Sequence, residues 1–268
     1  MGEHPGVVNR AAWDELARLH GQDRVYDVDG FLRGNDTLDA LETGLVGDVR
    51  GLDLLHLQCH FGLDTLSWAR RGARVTGVDF SPVAIERARS LAGRAGLDAT
   101  FLEADTQALP GQLAGRFDVA FASYGVLCWI GDLDAWMRGA ALALRPGGRL
   151  VLVEFHPLYT MVDRVDPLEL GFPYGGGAPC RFEEAGSYAD PDLATSANVT
   201  IEFPHSVGEV VTAAIDAGLA VRRLEEHLRA SGDGRDILTE QPGGGYRLVV
   251  AGQELPLLYS LVAQRPPA

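Results

Sequence analysis

The chain has 268 residues, 46% of them hydrophobic and 22% charged, which suits one sizeable globular domain with a lid or an insertion. Its formal net charge of −14 disfavours nucleic acid or an anionic membrane surface as partner, because both select clustered lysine and arginine. No window approaches the roughly 18 uncharged apolar residues of a membrane helix, the N-terminus has no basic flank followed by an apolar run, and Cys59, Cys128 and Cys180 are isolated. The expectation is a soluble, cytoplasmic protein without a disulfide framework or a zinc ribbon.

Residues 1–50 read as helical with breaks. Trp13, Leu16, Ala17 and Leu19 fall near helical spacing, the run from Gly21 to Thr37 is loop-like, and a second helix is expected from Asp36 to Leu45. The segment is either a packing appendage or a lid that contributes Trp13, His20, Tyr26 or Phe31. Leu52 to Leu57 is an apolar strand, Gln58 to Gly62 a tight loop, Leu63 to Arg71 a helix, and Arg74 to Val78 a second strand closed by Asp79. A strand, a turn that opens a helix, and an acid at the next strand tip make a nucleotide-binding βαβ unit.

Ser81-Pro82 supplies an N-cap and a proline at the first helical position, and Ile85, Ala88, Leu91 and Ala92 share one face of the helix that Gly96 ends. Ala99 to Glu103 is a short third strand. Phe117 to Ser123 is the continuous apolar run of a strand buried in a parallel sheet, and it leads into the loop Tyr124 to Ile130. Leu133, Trp136, Met137, Ala140, Ala141 and Leu144 mark the clearest helix; Arg149 to Phe155 follows as a fifth strand with His156-Pro157 at its tip. Such alternation requires a doubly wound parallel sheet.

From residue 158 to 204 the regularity fails. The stretch is too long for an ordinary loop, and its aromatic load (Phe172, Tyr174, Phe182, Tyr188, Phe203) marks a cap over the site rather than a solvated excursion. Ser206 and Glu209 then form a capping box before a helix ending at Gly218, Leu219 to Leu224 is a sixth strand, Pro242 to Gly245 a turn, and Leu255 to Val262 a seventh strand. The expected organisation is a lid over 1–50, a cofactor-binding core over 51–157, a cap over 158–204 and the rest of the core sheet over 205–268.

In chain order, LLHLQCHFG, VTGVDFSPVAIERAR, EADTQALP, FDVAFASYGVLCWI and LRPGGRLVLVEFHP resemble the motifs of the class I S-adenosylmethionine-dependent methyltransferases. The resemblance covers nearly the whole chain. It implies an α/β, seven-stranded Rossmann-like sheet, S-adenosylmethionine as cofactor, and methyl transfer to a small-molecule acceptor. By resemblance Asp79 binds both ribose hydroxyls, Phe80 flanks the adenine, and Asp105 with Thr106 meets its polar edge. Gln58, Cys59, His60 and Gly62 pass close to the methionine portion, and Ser81, Ser123 and Tyr26 complete the cofactor set. A carboxylate is a natural acceptor for two vicinal hydroxyls.

The family's acid-x-Gly-x-Gly-x-Gly loop reads His56, Gln58, His60 and Gly62 here. With two glycines gone, the loop is expected to widen or to turn its side chains away from the ligand, Gln58 replacing a backbone contact with its amide. His56 and His60 straddle a strand end with no third ligand nearby, so no metal is expected. The missing glycines also weigh against a nicotinamide dehydrogenase.

The first candidate for a general base is His156, which follows a strand whose carboxyl end faces the crevice; His205, Glu169 and Glu154 are alternatives, and each histidine has a structural reading as a cap. The sequence SYGV stands where many amide and nucleobase N-methyltransferases carry N/D-P-P-Y. Tyr124, Trp129, Tyr159, Tyr174 and Tyr188 suggest a partly apolar amino or hydroxyl metabolite, of specialised metabolism; an anionic acceptor would need Arg164 or Arg181. The competing readings are a fold relative that binds the cofactor without transferring methyl, and a different nucleotide enzyme.

Overall fold

The computed structural model describes residues 4–21, 25–176, 179–231, 235–242 and 244–267. Helix α1 (Pro5–Leu19) leads, followed by α2 (Val28–Arg33) and α3 (Ala40–Val46). The stretch read as a loop therefore holds a short helix, which Asp27 caps by accepting from the Gly30 N–H at 2.7 Å and which Gly34 closes at a φ of 113°; residues 22–24 lie outside the described residues. The helix expected from Asp36 starts later, at Ala40.

Strands β1 (Asp53–Leu57), β2 (Arg74–Asp79), β3 (Thr100–Glu103), β4 (Phe117–Ser123) and β5 (Leu144–Phe155) run parallel, joined in part by helices α4 (Leu63–Arg70), α5 (Pro82–Ala95) and α6 (Leu133–Ala143). Their apolar runs have a physical cause: Leu54, Leu55, Val119, Ala120, Phe121, Leu150 and Val151 are fully buried because helices cover both faces of the sheet.

After β5 come α7 (Pro157–Met161), a hairpin of β6 (Val162–Val165) with β7 (Leu168–Leu170), and a second hairpin of β8 (Cys180–Glu183) with β9 (Val199–Glu202). The stretch expected to be irregular thus carries two small ribbons. Helix α8 (Val207–Asp216) and strand β10 (Ala220–His227) follow, then a separate sheet of β11 (Leu238–Glu240), β12 (Tyr246–Val250) and β13 (Gln253–Leu255), and finally β14 (Leu258–Gln264). The expected last strand from Leu255 is divided between β13 and β14. The expected Pro242–Gly245 turn includes residue 243, which lies outside the described residues.

The main sheet has seven strands in the order β10-β14-β5-β4-β1-β2-β3, with β14 antiparallel to both neighbours. Chain direction across the sheet reverses at β1, which pairs with β2 on one side and β4 on the other. In an open α/β sheet a ligand crevice forms outside the carboxyl ends of the strands at such a reversal.

Candidate functional site

A cavity of about 370 Å³ lies at this reversal, within the size range of small-ligand sites. Its floor is the carboxyl ends of β1, β2 and β4. Its roof is the start of α1, with Asn9 and Trp13, and the aromatic side chains of Tyr188 and Phe203.

Asp79, at the end of β2, lines the cavity while only 6% exposed. Its two oxygens accept from the His60 and Ser81 N–H groups, each at 2.9 Å, which fixes the carboxyl plane. Burial raises its pKa from 3.8 to about 6, against the opposing pull of those backbone donors. Ser81 itself is fully buried beneath this turn: its hydroxyl caps α5 at Ala84 N (3.0 Å) and donates to Asp14 at 2.5 Å. The expected cofactor contact from Ser81 is therefore corrected to a support for Asp79. Phe80, Thr106 and the exposed Asp105 line the same end of the cavity, joined by Gln107.

The β1 loop does not widen. Gln58 and His60 hold φ values of 55° and 49°, the left-handed conformation that glycine adopts freely, and Gly62 holds 85°. The side chains are turned away, as expected, and anchored. The Gln58 amide donates to the Val126 carbonyl at 2.7 Å and accepts from the Trp136 indole N–H at 2.8 Å, so it is committed to protein partners. His60 Nε2 lies 2.9 Å from His20 Nδ1, and His20 Nε2 lies 2.7 Å from the Ser187 hydroxyl. Trp13 packs edge-on against both His60 and Trp129, and the hydroxyls of Tyr26 and Tyr188 bond to each other across the roof.

The imidazoles of His56 and His60 are held neutral. Burial lowers His56 to a pKa of about 3 and His60 well below its usual value. His56 Nδ1 is 2.8 Å from the Thr65 hydroxyl. The Cys59 thiol is pushed up by burial and then by Asp79, so it remains a thiol.

The loop after β4 is organised by Glu154 of β5, 5% exposed. Its carboxyl accepts from the N–H groups of Gly125 (2.5 Å), Val126 (2.8 Å), Leu127 (2.9 Å) and Phe155 (2.7 Å). It is a clamp on the loop, which is a different part from the base considered in the sequence. The clamp presents Ser123 and Tyr124 to the cavity, Tyr124 at a φ of 50°.

The other expected catalytic groups lie elsewhere. His156 is 1% exposed and outside the cavity; Nδ1 accepts from Leu158 N at 3.1 Å to cap α7, and Nε2 meets Glu226 at 2.8 Å. His205 bonds the Ile130 carbonyl at 2.7 Å on a separate open cleft beside α8. Glu169 is on the exposed β6–β7 hairpin, paired with Arg164 at 3.0 Å. Of the expected acceptor residues, Tyr124, Trp129 and Tyr188 line the cavity, whereas Tyr159 is buried in another cluster under Arg235 and Tyr174 points to solvent. Arg181 pairs with Glu183 on the surface, so neither arginine considered for an anionic acceptor is in the cavity.

Sequence reasoning missed Asn9, Asp64 and Gln107 in the lining. For Asp64 a signal existed: an acid in the first turn of the helix that the Gly62 loop opens.

Residues 54–148 match the model of a family described as a methyltransferase domain. The chain is 41% identical over 86 residues to demethylmenaquinone methyltransferase of Thermus thermophilus, a match covering 32% of this chain and 38% of that protein. It is 29% identical over 150 residues to ubiquinone biosynthesis O-methyltransferase of Xanthomonas oryzae pv. oryzae, covering 55% and 62%. The chain thus spans less than two thirds of these curated relatives. A solved S-adenosylmethionine-dependent methyltransferase from Mesorhizobium loti superposes with a TM-score of 0.59 at 25% identity, covering 87% of this chain and all of that one. Residues 54–148 are thus similar to a methyltransferase domain, and the fold around them is that of S-adenosylmethionine-dependent methyltransferases. S-adenosylmethionine is the cofactor of that class, and among the described residues no helix is long and apolar enough to cross a membrane.

Proposed function

We propose that this protein transfers a methyl group from S-adenosylmethionine to a small, partly apolar acceptor, in the cytoplasm and in specialised metabolism. The observation that carries the reading is Asp79, a buried carboxyl pinned by two backbone donors inside a cavity at the sheet reversal.

The donor set fits the cofactor. Asp79 offers two oriented oxygens to the ribose hydroxyls, the Phe80 ring a face for the adenine, and Asp105, Thr106 and Gln107 polar groups for its edge. Gln58, Cys59, His60 and Gly62 form the wall toward the methionine end, with Ser123 opposite and Tyr26 in the roof. When bound, the cofactor supplies a methyl group on a sulfonium, which is electrophilic without further activation. Tyr124, Trp129 and Tyr188 border the acceptor side, and residues 1–50 with 158–204 act as lid and cap over a core made of 51–157 and 205–268.

With His156, His205 and Glu169 outside the cavity and its buried imidazoles neutral, the residues contribute alignment and exclusion of water rather than a strong base. An acceptor suited to this site brings its own free lone pair or an acidic proton. The relatives named for demethylmenaquinone and for ubiquinone biosynthesis, together with the aromatic walls, make a ring hydroxyl the first class to test. The test is S-adenosylhomocysteine release from S-adenosylmethionine across phenols, quinols and amines. Release that depends on one acceptor class supports the proposal; turnover only on protein or RNA, or an acceptor converted while the cofactor stays intact, overturns it.

A further inference from the structure

The far edge of the main sheet carries a charge pattern that complements itself. Strand β10 has β14 on one side and, among the described residues, no strand on the other. No backbone group from Arg222 to Glu226 bonds outside this sheet among the described residues. The His227 carbonyl faces the β14 side, accepting from Leu257 N at 2.8 Å. Backbone groups alternate in direction along a strand, so Arg223 and Glu225 face β14 as well, and Leu224 turns its N–H and C=O outward. An outward row of this kind is a template for another strand.

The side chains decide which strand fits. The edge reads Arg222, Arg223, Leu224, Glu225, Glu226, so its charges reverse sign about Leu224. Two copies laid antiparallel with Leu224 opposite Leu224 place each Arg223 across from the other's Glu225, and each Arg222 across from Glu226. Directly opposite residues share a face, where unlike charges attract and like charges repel. A parallel pairing in register would instead set arginine against arginine and glutamate against glutamate. Within one chain Arg223 and Glu225 bond each other at 2.7 Å on the surface, and neither has another hydrogen-bond partner among the described residues. A lone surface pair contributes little, but across a two-fold axis the two pairs close into a ring of four alternating charges, and networks are where such pairs contribute. The β10 register shifts at Arg222, which bonds Gln264, and Glu226 meets His156. Arg223 and Glu225 are therefore the core of the match, with the outer pair as flanks. Leu224, 42% exposed, lies opposite Leu261 and so on the face that α8 covers, where Ile215 of that helix is exposed too.

Charge on an edge strand also serves to prevent pairing. A guard of one sign repels every copy, whereas this edge repels a parallel strand and attracts an antiparallel copy of itself. The net charge of −14 opposes self-association at long range, so the attraction is confined to the edge.

We propose that β10 is an isologous interface at which two copies of the chain join their seven-stranded sheets edge to edge. Strands β14, β5 and β4 separate it from the reversal at β1, so the interface lies away from the cavity. It is independent of the methyl-donor reading.

The test is analytical sedimentation of the chain and its variants across the micromolar range. Wild type is expected to form a dimer of the 28.7 kDa chain. Arg223→Glu and Glu225→Arg each set like charges across the axis and should raise the dissociation constant at least about 10-fold. The two variants complement each other, so an equimolar mixture should form a heterodimer within about threefold of the wild-type affinity. The double variant Arg223→Glu/Glu225→Arg exchanges the charges and should dimerise like wild type, which keeps the test open if either single variant fails to fold. A monomeric wild type, single variants as dimeric as wild type, or a mixture that stays monomeric would each overturn the proposal.

Discussion

The two loops that border the cavity solve one conformational problem in different ways. Both leave the carboxyl ends of neighbouring parallel strands, β1 and β4, and both place non-glycine residues at positive φ: Gln58 and His60 in one, Tyr124 in the other. Such residues cost on the order of 1–3 kcal/mol each and persist only where their surroundings over-determine them. In the β1 loop the strained residues are held by their own side chains, through Val126, Trp136 and His20. In the β4 loop a distant carboxyl, Glu154, gathers the backbone N–H groups instead. Glycine is therefore one way to meet a left-handed position, and an anchored side chain is another. The Gln58 amide also bonds the β4 loop at Val126, so the two loops brace each other.

The comparison can be broken most severely at the single clamp. Glu154→Ala strands four backbone donors, two of them in fully buried hydrogen bonds, for an expected loss of about 4 kcal/mol in chemical denaturation. On the β1 side, Asp79→Ala should weaken S-adenosylhomocysteine at least about 100-fold by calorimetry while the fold persists by circular dichroism.

Asp79→Asn separates binding from stability. The carboxyl has a folded pKa of about 6 against 3.8 ordinarily, so the folded protein keeps its proton longer than the unfolded chain. Stability conferred by this group therefore falls as pH rises from about 4 to about 6, and the penalty is complete above that window. In melting experiments the loss of stability of the ligand-free wild type between about pH 4 and about pH 6 should be absent in Asp79→Asn, which does not titrate. Below about pH 4 the variant should be the less stable, because its amide offers one oxygen to the two N–H donors of His60 and Ser81.

A smaller effect is expected where strain and anchoring oppose. Gln58→Ala keeps the strained φ and strands the Trp136 indole, costing about 2 kcal/mol; Gln58→Gly relieves the strain and should cost about 1 kcal/mol less than Ala in the same denaturation assay. At the far end of the scale, Glu169→Gln lies on an exposed hairpin and should leave turnover within about twofold.

What could be read in advance follows from where the information sits. The core strands announced themselves because burial on both faces forces continuous apolar runs, and Asp79 stood out because its neighbours in sequence define the strand tip and the following cap. The β1 loop was half legible. Missing glycines implied displaced side chains, but the anchors of Gln58 lie 68 and 78 positions away, and no local pattern reveals them. His156 misled for the same reason. Its place after β5 was read correctly, yet its ring is spoken for by Glu226, 70 positions further on. The sheet of β11, β12 and β13 went unseen because strands of three to five residues lack a stable alternation.

The roof has a consequence for how the molecule forms. The Asn9 side chain both donates to and accepts from Ile201, at 2.8 Å each, completing the edge of β9 as a neighbouring strand would. Six residues along α1, Glu15 accepts from the N–H groups of Ser196 and Ala197. These partners are 181 to 192 positions apart in the chain, and closing so long a loop is entropically unfavourable until the sheet has drawn its ends together. The roof is thus a late product of folding and an early casualty of partial unfolding. Amide exchange should show α1 and β9 losing protection together, ahead of the sheet beneath them.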